Sequence, residues 1–125
     1  MGSSFYVHAD SRDGGPAWAF TRAELAAALT AHWPGASVAD SVEGWAEILV
    51  EVEPGQWAEL SYNLRGRAFS FEDREPWSAP LTVLHTVLRD LAPDVPVVWW
   101  PDFDAVLEPF DLAADLSAVL DAFGA

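Results

Sequence analysis

Residues 45–53, Trp45-Ala-Glu-Ile-Leu-Val-Glu-Val-Glu53, alternate without a break, and their reading decides the fold class. Ala46, Ile48, Val50 and Val52 share one parity, while Trp45, Glu47, Leu49, Glu51 and Glu53 share the other. Successive side chains of a strand project to opposite faces, so the apolar set lines a core and the acidic set faces outward. Glu53-Pro-Gly-Gln56 supplies a reversal. Residues 57–63 then return with Ala58, Leu60 and Tyr62 on one face and Trp57, Glu59 and Ser61 on the other. Asn63-Leu-Arg-Gly66 reads as a second reversal in which Gly66 supplies a positive φ. Residues 67–72 come back with Phe69 and Phe71 on one parity. Strands joined this closely imply an antiparallel meander.

On the N-terminal side, the apolar run 5–9 predicts a first strand, and the turn formers of residues 10–16 predict a loop. Residues 17–20 read as a short strand pairing back on the first. Thr21-Arg-Ala-Glu24 has the form of a capping box. The helix it opens carries Leu25, Ala28, Leu29 and His32 or Trp33 on one face, and Pro34-Gly35 ends it. Residues 36–41 predict a strand, and 42–44 a turn into the central hairpin.

On the C-terminal side, Ser78 is the expected N-cap of a second helix that tolerates Pro80 in its first turn. Leu81, Leu84, Leu88 and Leu91 recur at helical spacing with Val87 beside them, and Pro93 and Pro96 close the segment. Residues 97–100 form a short, wholly apolar strand, 101–109 an acidic loop, and Asp111 caps a last helix striped by Leu112, Leu116, Val119, Leu120 and Phe123. The expected order is β(β)αββββαβα. It describes an α+β fold with three helices on one face of a mainly antiparallel sheet of about five to six strands. Residues 1–125 are expected to make a single domain.

Composition narrows the chemistry. A hydrophobic content of 51 %, with seven Trp and seven Phe, excludes intrinsic disorder. The absence of cysteine excludes disulfides, thiolate metal sites and thiol catalysis. Twenty acidic residues face six arginines with no lysine, giving a net charge of −14. Such a surface repels nucleic acid and anionic lipid and attracts basic proteins or cations. The simplest competing account is that the charge only keeps an aromatic-rich chain in solution. No apolar run approaches the roughly 20 residues of a membrane span. The start, MGSSFYVHAD, lacks the basic and apolar regions of a secretory signal, so the cytoplasm is the expected location.

Four groups of residues carry candidate chemistry. His8, Asp10 and Asp13 lie where the first strand enters its loop, as a metal site or an acid–base pair would, although strand ends and turns hold such residues for local reasons. Asp102 and Asp104, with Glu108, follow an apolar strand and offer oxygen ligands to a cation, but the glycine of a Ca²⁺ loop is missing. The Asp102-Phe-Asp104 pair resembles that of the haloacid dehalogenase phosphatases, where one Asp attacks phosphorus beside Mg²⁺. In that family the pair opens the chain and later segments add a lysine. Here 21 residues follow Asp104 and lysine is absent, so the likeness ends at these residues. His32 ends the first helix, where a cation suits the helix dipole, and His85 sits at the boundary of the second helix's apolar stripe.

The fourth group is the outward face: Trp45, Glu47, Leu49, Glu51, Trp57 and Glu59, with Glu53 at its margin. Large aromatics among carboxylates suit a binder of basic protein, with anchors for affinity and charge for association rate. The alternative is a second layer, such as the last helix, covering Trp45, Leu49 and Trp57.

The expected function is therefore a small acidic cytosolic binding protein without a cofactor. Its most concrete form is an inhibitor or immunity-type protein that engages a basic protein partner. Two alternatives stay open: a metal-dependent hydrolase using His8 with Asp10 or Asp102 with Asp104, and a self-associating structural domain that forms homo-oligomers. Nucleic acid and membrane are not expected partners.

Overall fold

A computed structural model describes residues 3–12, 14, 17–41, 44–74, 76–104 and 106–124. The element order is β1 (Ser4–Ala9), α1 (Arg22–His32), β2 (Ser37–Asp40), β3 (Trp45–Glu53), β4 (Gln56–Asn63), β5 (Ala68–Glu72), α2 (Ser78–Leu91), β6 (Val97–Pro101), β7 (Glu108–Phe110) and α3 (Leu116–Phe123). The fold is α+β, with three helices and one seven-stranded antiparallel sheet in the order β2-β3-β4-β5-β1-β6-β7.

The central hairpin forms as its alternation requires. Ala46 pairs with Tyr62, Ile48 with Leu60 and Val50 with Ala58, and all six side chains are buried. The turn between β3 and β4 puts Gly55 at φ 81°, a region closed to most side chains. A register shift between Glu51 and Glu53 bends the hairpin beside this turn. In the next reversal the positive φ falls on Arg67 (56°), not on Gly66 as the sequence suggests. The Asn63 carboxamide instead accepts from the backbone N–H groups of Arg65 and Gly66, at 3.0 and 2.9 Å. A Cβ on Gly66 would approach that carboxamide to 3.3 Å, a tight contact to which the Asn63 side chain must yield by a few tenths of an ångström.

The N-terminal strand closes the sheet. β1 inserts between β5 and β6, with Val7 opposite both Phe69 and Trp99. Both edges of β1 are thereby taken, and residues 17–20 cannot pair with it. They run as an unpaired segment that sends Trp18 and Phe20 into the core. The Trp18 indole N–H donates to the Arg67 carbonyl at 3.1 Å, and Phe20 stacks on Tyr62 at 5.2 Å.

The helices share the face that carries Phe5, Val7, Ile48, Val50, Leu60 and Phe71. α1 starts at the predicted capping box: Thr21 Oγ1 accepts from the Glu24 N–H, and the Glu24 carboxylate accepts from the Thr21 N–H. α2 lies over β3 and β4, with α1 and β2 on one side and α3 on the other. Its N-cap position is Trp77, which makes no side-chain capping bond, and Ser78 is already helical. α3 begins one turn later than expected. Asp115 accepts from the Ala118 N–H at 2.9 Å, while Asp111 closes a local turn onto the Ala113 N–H. Phe123 then packs among Phe5, Trp77 and Trp99, with ring centroids 4.9, 6.0 and 4.3 Å away.

The region expected to be an acidic loop contains a further strand. β7 pairs with β6, Val97 opposite Phe110 and Val98 opposite Pro109, and Phe110 is buried. Proline fits because the strand is an edge. The turn expected at residues 42–44 lies partly outside the described residues, at Val42 and Glu43. Gly44 adopts φ 79° where the chain enters β3. Among the described residues, no helix is long and apolar enough to cross a membrane.

Candidate functional site: the open face of the sheet

With the helices on one side, register alone arranges the other. One row across the strands reads Ala39, Glu47, Ser61, Ser70, Tyr6 and Trp100. The next places Ser37 opposite Leu49 and Leu49 opposite Glu59, and a third sets Glu51 against Trp57. The last helix does not cover this face, because Phe123 points it onto Phe5, Trp99 and the rest of the opposite side. Trp57 remains 50 % exposed and Leu49 37 %. Trp45 is half-buried, and Glu47, Glu51, Glu53, Glu59 and Glu72 are exposed. All six residues singled out from the alternation therefore lie on one side of β3 and β4.

Between them runs a shallow trough of about 630 Å³, bordered by Ser37, Glu47, Trp57, Ser70, Glu72 and Arg74. The carboxylates of this face are held by short local bonds. Glu47 accepts from the Ser61 hydroxyl at 2.9 Å, and Glu51 accepts from the Gly55 N–H at 2.9 Å. Arg74 reaches Glu59 at 3.0 Å and Glu72 at 3.4 Å. Among the described residues Arg74 is the one cation lining the trough. The face thus offers two large apolar surfaces, Trp57 and Leu49, ringed by negative charge.

Tyr6, His8 and Trp100 extend this face on β1 and β6, and none of the three was singled out there by sequence. The rings of Tyr6 and Trp100 lie 4.6 Å apart, and the Trp100 indole N–H donates to His8 Nε2 at 2.8 Å. An indole nitrogen only donates, so Nε2 is the bare nitrogen of His8. Nδ1 carries the proton and donates to the Ala9 carbonyl at 2.9 Å. Both ring nitrogens are committed, and neither is free to bind a metal or accept a substrate proton.

The carboxylates near His8 are likewise engaged. Asp10 is paired with Arg12 at 2.8 Å, and the hydrogen bonds from that arginine hold its carboxyl down at about 2. Asp13 lies outside the described residues. Asp102 accepts from the Ser4 N–H at 3.0 Å, and Asp104 accepts from the Val106 N–H at 2.6 Å, so each carboxylate fixes a loop. Among the described residues no three of His, Asp and Glu converge as a metal-ligand set.

The other two histidines are structural. His32 pairs with Asp90 at 2.6 Å across α1 and α2. His85 is buried, not at a boundary, and bonds the Ala114 carbonyl at 2.8 Å. No protein-family model, curated protein or solved structure matches this chain.

Proposed function

We propose that this is a non-catalytic binding protein whose open sheet face docks a basic protein partner in the cytoplasm. The observation that carries the reading is the exposure of Trp57 and Leu49 on a strand face that also presents the carboxylates of Glu47, Glu51 and Glu59. Apolar anchors inside a charged ring are the usual anatomy of a protein-binding patch. A net charge of −14 sets the sign of the partner and speeds its arrival. The most concrete form is an inhibitor or immunity-type protein. Proteins that act on nucleic acid carry basic substrate surfaces, and an acidic face competes for that same surface.

The test is affinity capture from the native host with the wild-type chain and with the Glu47/Glu51/Glu59→Gln triple variant. The expected result is a basic protein on the first and its loss on the second. Capture of no basic protein, or equal capture by the triple variant, overturns the proposal.

A further inference from the structure

The aromatic face carries a chemical preference finer than the sign of charge. The registered pairs Ser61–Ser70 and Ser4–Glu72 place Glu59 and Glu72 on the same side of neighbouring strands, next to Trp57 and Leu49. Like charges so placed repel, and in the free protein one guanidinium relieves them. Arg74 spans both carboxylates from the loop after β5, using Nη2 for Glu59 and Nη1 for Glu72. A fork of two nitrogens on one plane suits this task, and a lysine ammonium cannot reproduce it. Trp57 beside the pair offers the flat indole on which a guanidinium stacks well.

Resting on the proposed docking of a basic partner, we infer that the face selects arginine over lysine, and that Arg74 is a resident competitor. The partner's arginine lies on Trp57, takes the carboxylates, and displaces the Arg74 side chain into solvent. Arg74 is well placed to leave. Its side chain is 63 % exposed, and both of its ion pairs are surface pairs, which are individually weak.

Calorimetry with nona-arginine and nona-lysine peptides at low salt tests the inference. Arg74→Gln and Arg89→Gln remove the same charge, but Arg89 is exposed on α2, in the helical layer. Arg74→Gln is expected to tighten nona-arginine by about threefold to fivefold, the upper part of the range of one surface ion pair, and Arg89→Gln by less than half as much. Nona-lysine is expected to bind more weakly than nona-arginine and to gain less from Arg74→Gln.

Equal gains from the two variants, or equal affinities for the two peptides, overturn the inference. The reading of the face has its own control. If both peptides bind and Trp57→Ala weakens them, the docking face stands even where the Arg74 inference fails. If Trp57→Ala changes neither affinity, the docking face itself fails.

Discussion

Replacing Trp57 by alanine separates a working anchor from an aromatic that is merely left outside. Half of the side chain is already covered by its neighbours on β3 and β4, and half faces water. A tryptophan has roughly 250 Å² to bury at most, so about 125 Å² remains for a partner. At about 25 cal/mol per Å² this sets a ceiling near 3 kcal/mol on what docking can gain from the exposed half. A partner covers only part of that area, which brings the expected loss to about 2 kcal/mol, or roughly thirtyfold in Kd. The covered half contributes to the fold instead. Its loss lowers stability by up to about 3 kcal/mol, within what a folded chain survives.

The assay must therefore read both quantities: Kd for the captured partner by calorimetry, and unfolding by denaturant on the same sample. Leu49→Ala, at 37 % exposure and with a smaller side chain, should follow in the same direction with about half the effect. A folded Trp57→Ala protein that binds within twofold of wild type would refute the reasoning. The exposed indole would then be a solvated surface residue and nothing more.

Three further outcomes follow from single sites. The Tyr62 hydroxyl is buried with no hydrogen-bond partner among the described residues, since the nearby Trp18 N–H donates to the Arg67 carbonyl, and burial pushes its pKa up. Tyr62→Phe should therefore leave stability unchanged or raise it by about 1 kcal/mol in denaturant unfolding, and a clear loss would mean that the hydroxyl is satisfied. Phe123→Ala removes the ring that ties α3 to Phe5, Trp77 and Trp99, and should cost about 3 kcal/mol by the same measurement. The Asp10 carboxyl, held at about 2 against an ordinary 3.8, favours the folded state above about pH 4, and that contribution disappears as pH falls toward 2. Arg12→Gln should bring the carboxyl's NMR titration back up toward 3.8.

Much of the architecture was legible because it rests on local rules. The β3 alternation fixes which side chains enter the core, and the Thr21–Glu24 box fixes the start of α1. What escaped was set by long-range pairing. Residues 17–20 have the composition of a strand, yet β1 is already bonded on both edges by segments about 60 and 90 residues away. β7 has three residues, one of them Pro109, and only the exposed edge of β6 makes it a strand.

The candidate site divided in the same way. Trp57, Glu59 and their neighbours could be assigned to a face from parity alone. Trp100 could not, because residues 97–100 are apolar at both parities and hide which side is open. Arg74 lies 15 residues from Glu59 and beyond the end of β5, so only the folded register brings it into the trough. The cap of α3 moved because two aspartates each precede a leucine, and both can close an Asx turn.

The same face also bears on self-association, and here the geometry makes a definite prediction. Stacking two copies face to face would bring Glu47, Glu51, Glu59 and Glu72 of each against the same residues of the other, on chains of charge −14. The sheet edges offer no easier route. At one edge β7 carries Pro109, which lacks the N–H a joining strand needs. At the other, the Ser41 N–H bonds the Trp45 carbonyl, so the backbone N–H and C=O groups of the odd-numbered residues of β2 point at β3 and those of Val38 point away from the sheet. The Val38 carbonyl is already taken by the Arg22 guanidinium of α1 at 2.7 Å, and Arg22 is also paired with Asp40. Light scattering at 50 mM salt should accordingly give the mass of one chain, 13.6 kDa. Near 1 M salt the screening length shrinks to about 3 Å, and any association through Trp57 and Leu49 should first appear there. A dimer at low salt that dissociates as salt is raised would reverse the argument, because the carboxylates would then be attracting a second copy instead of reserving the face for a basic partner.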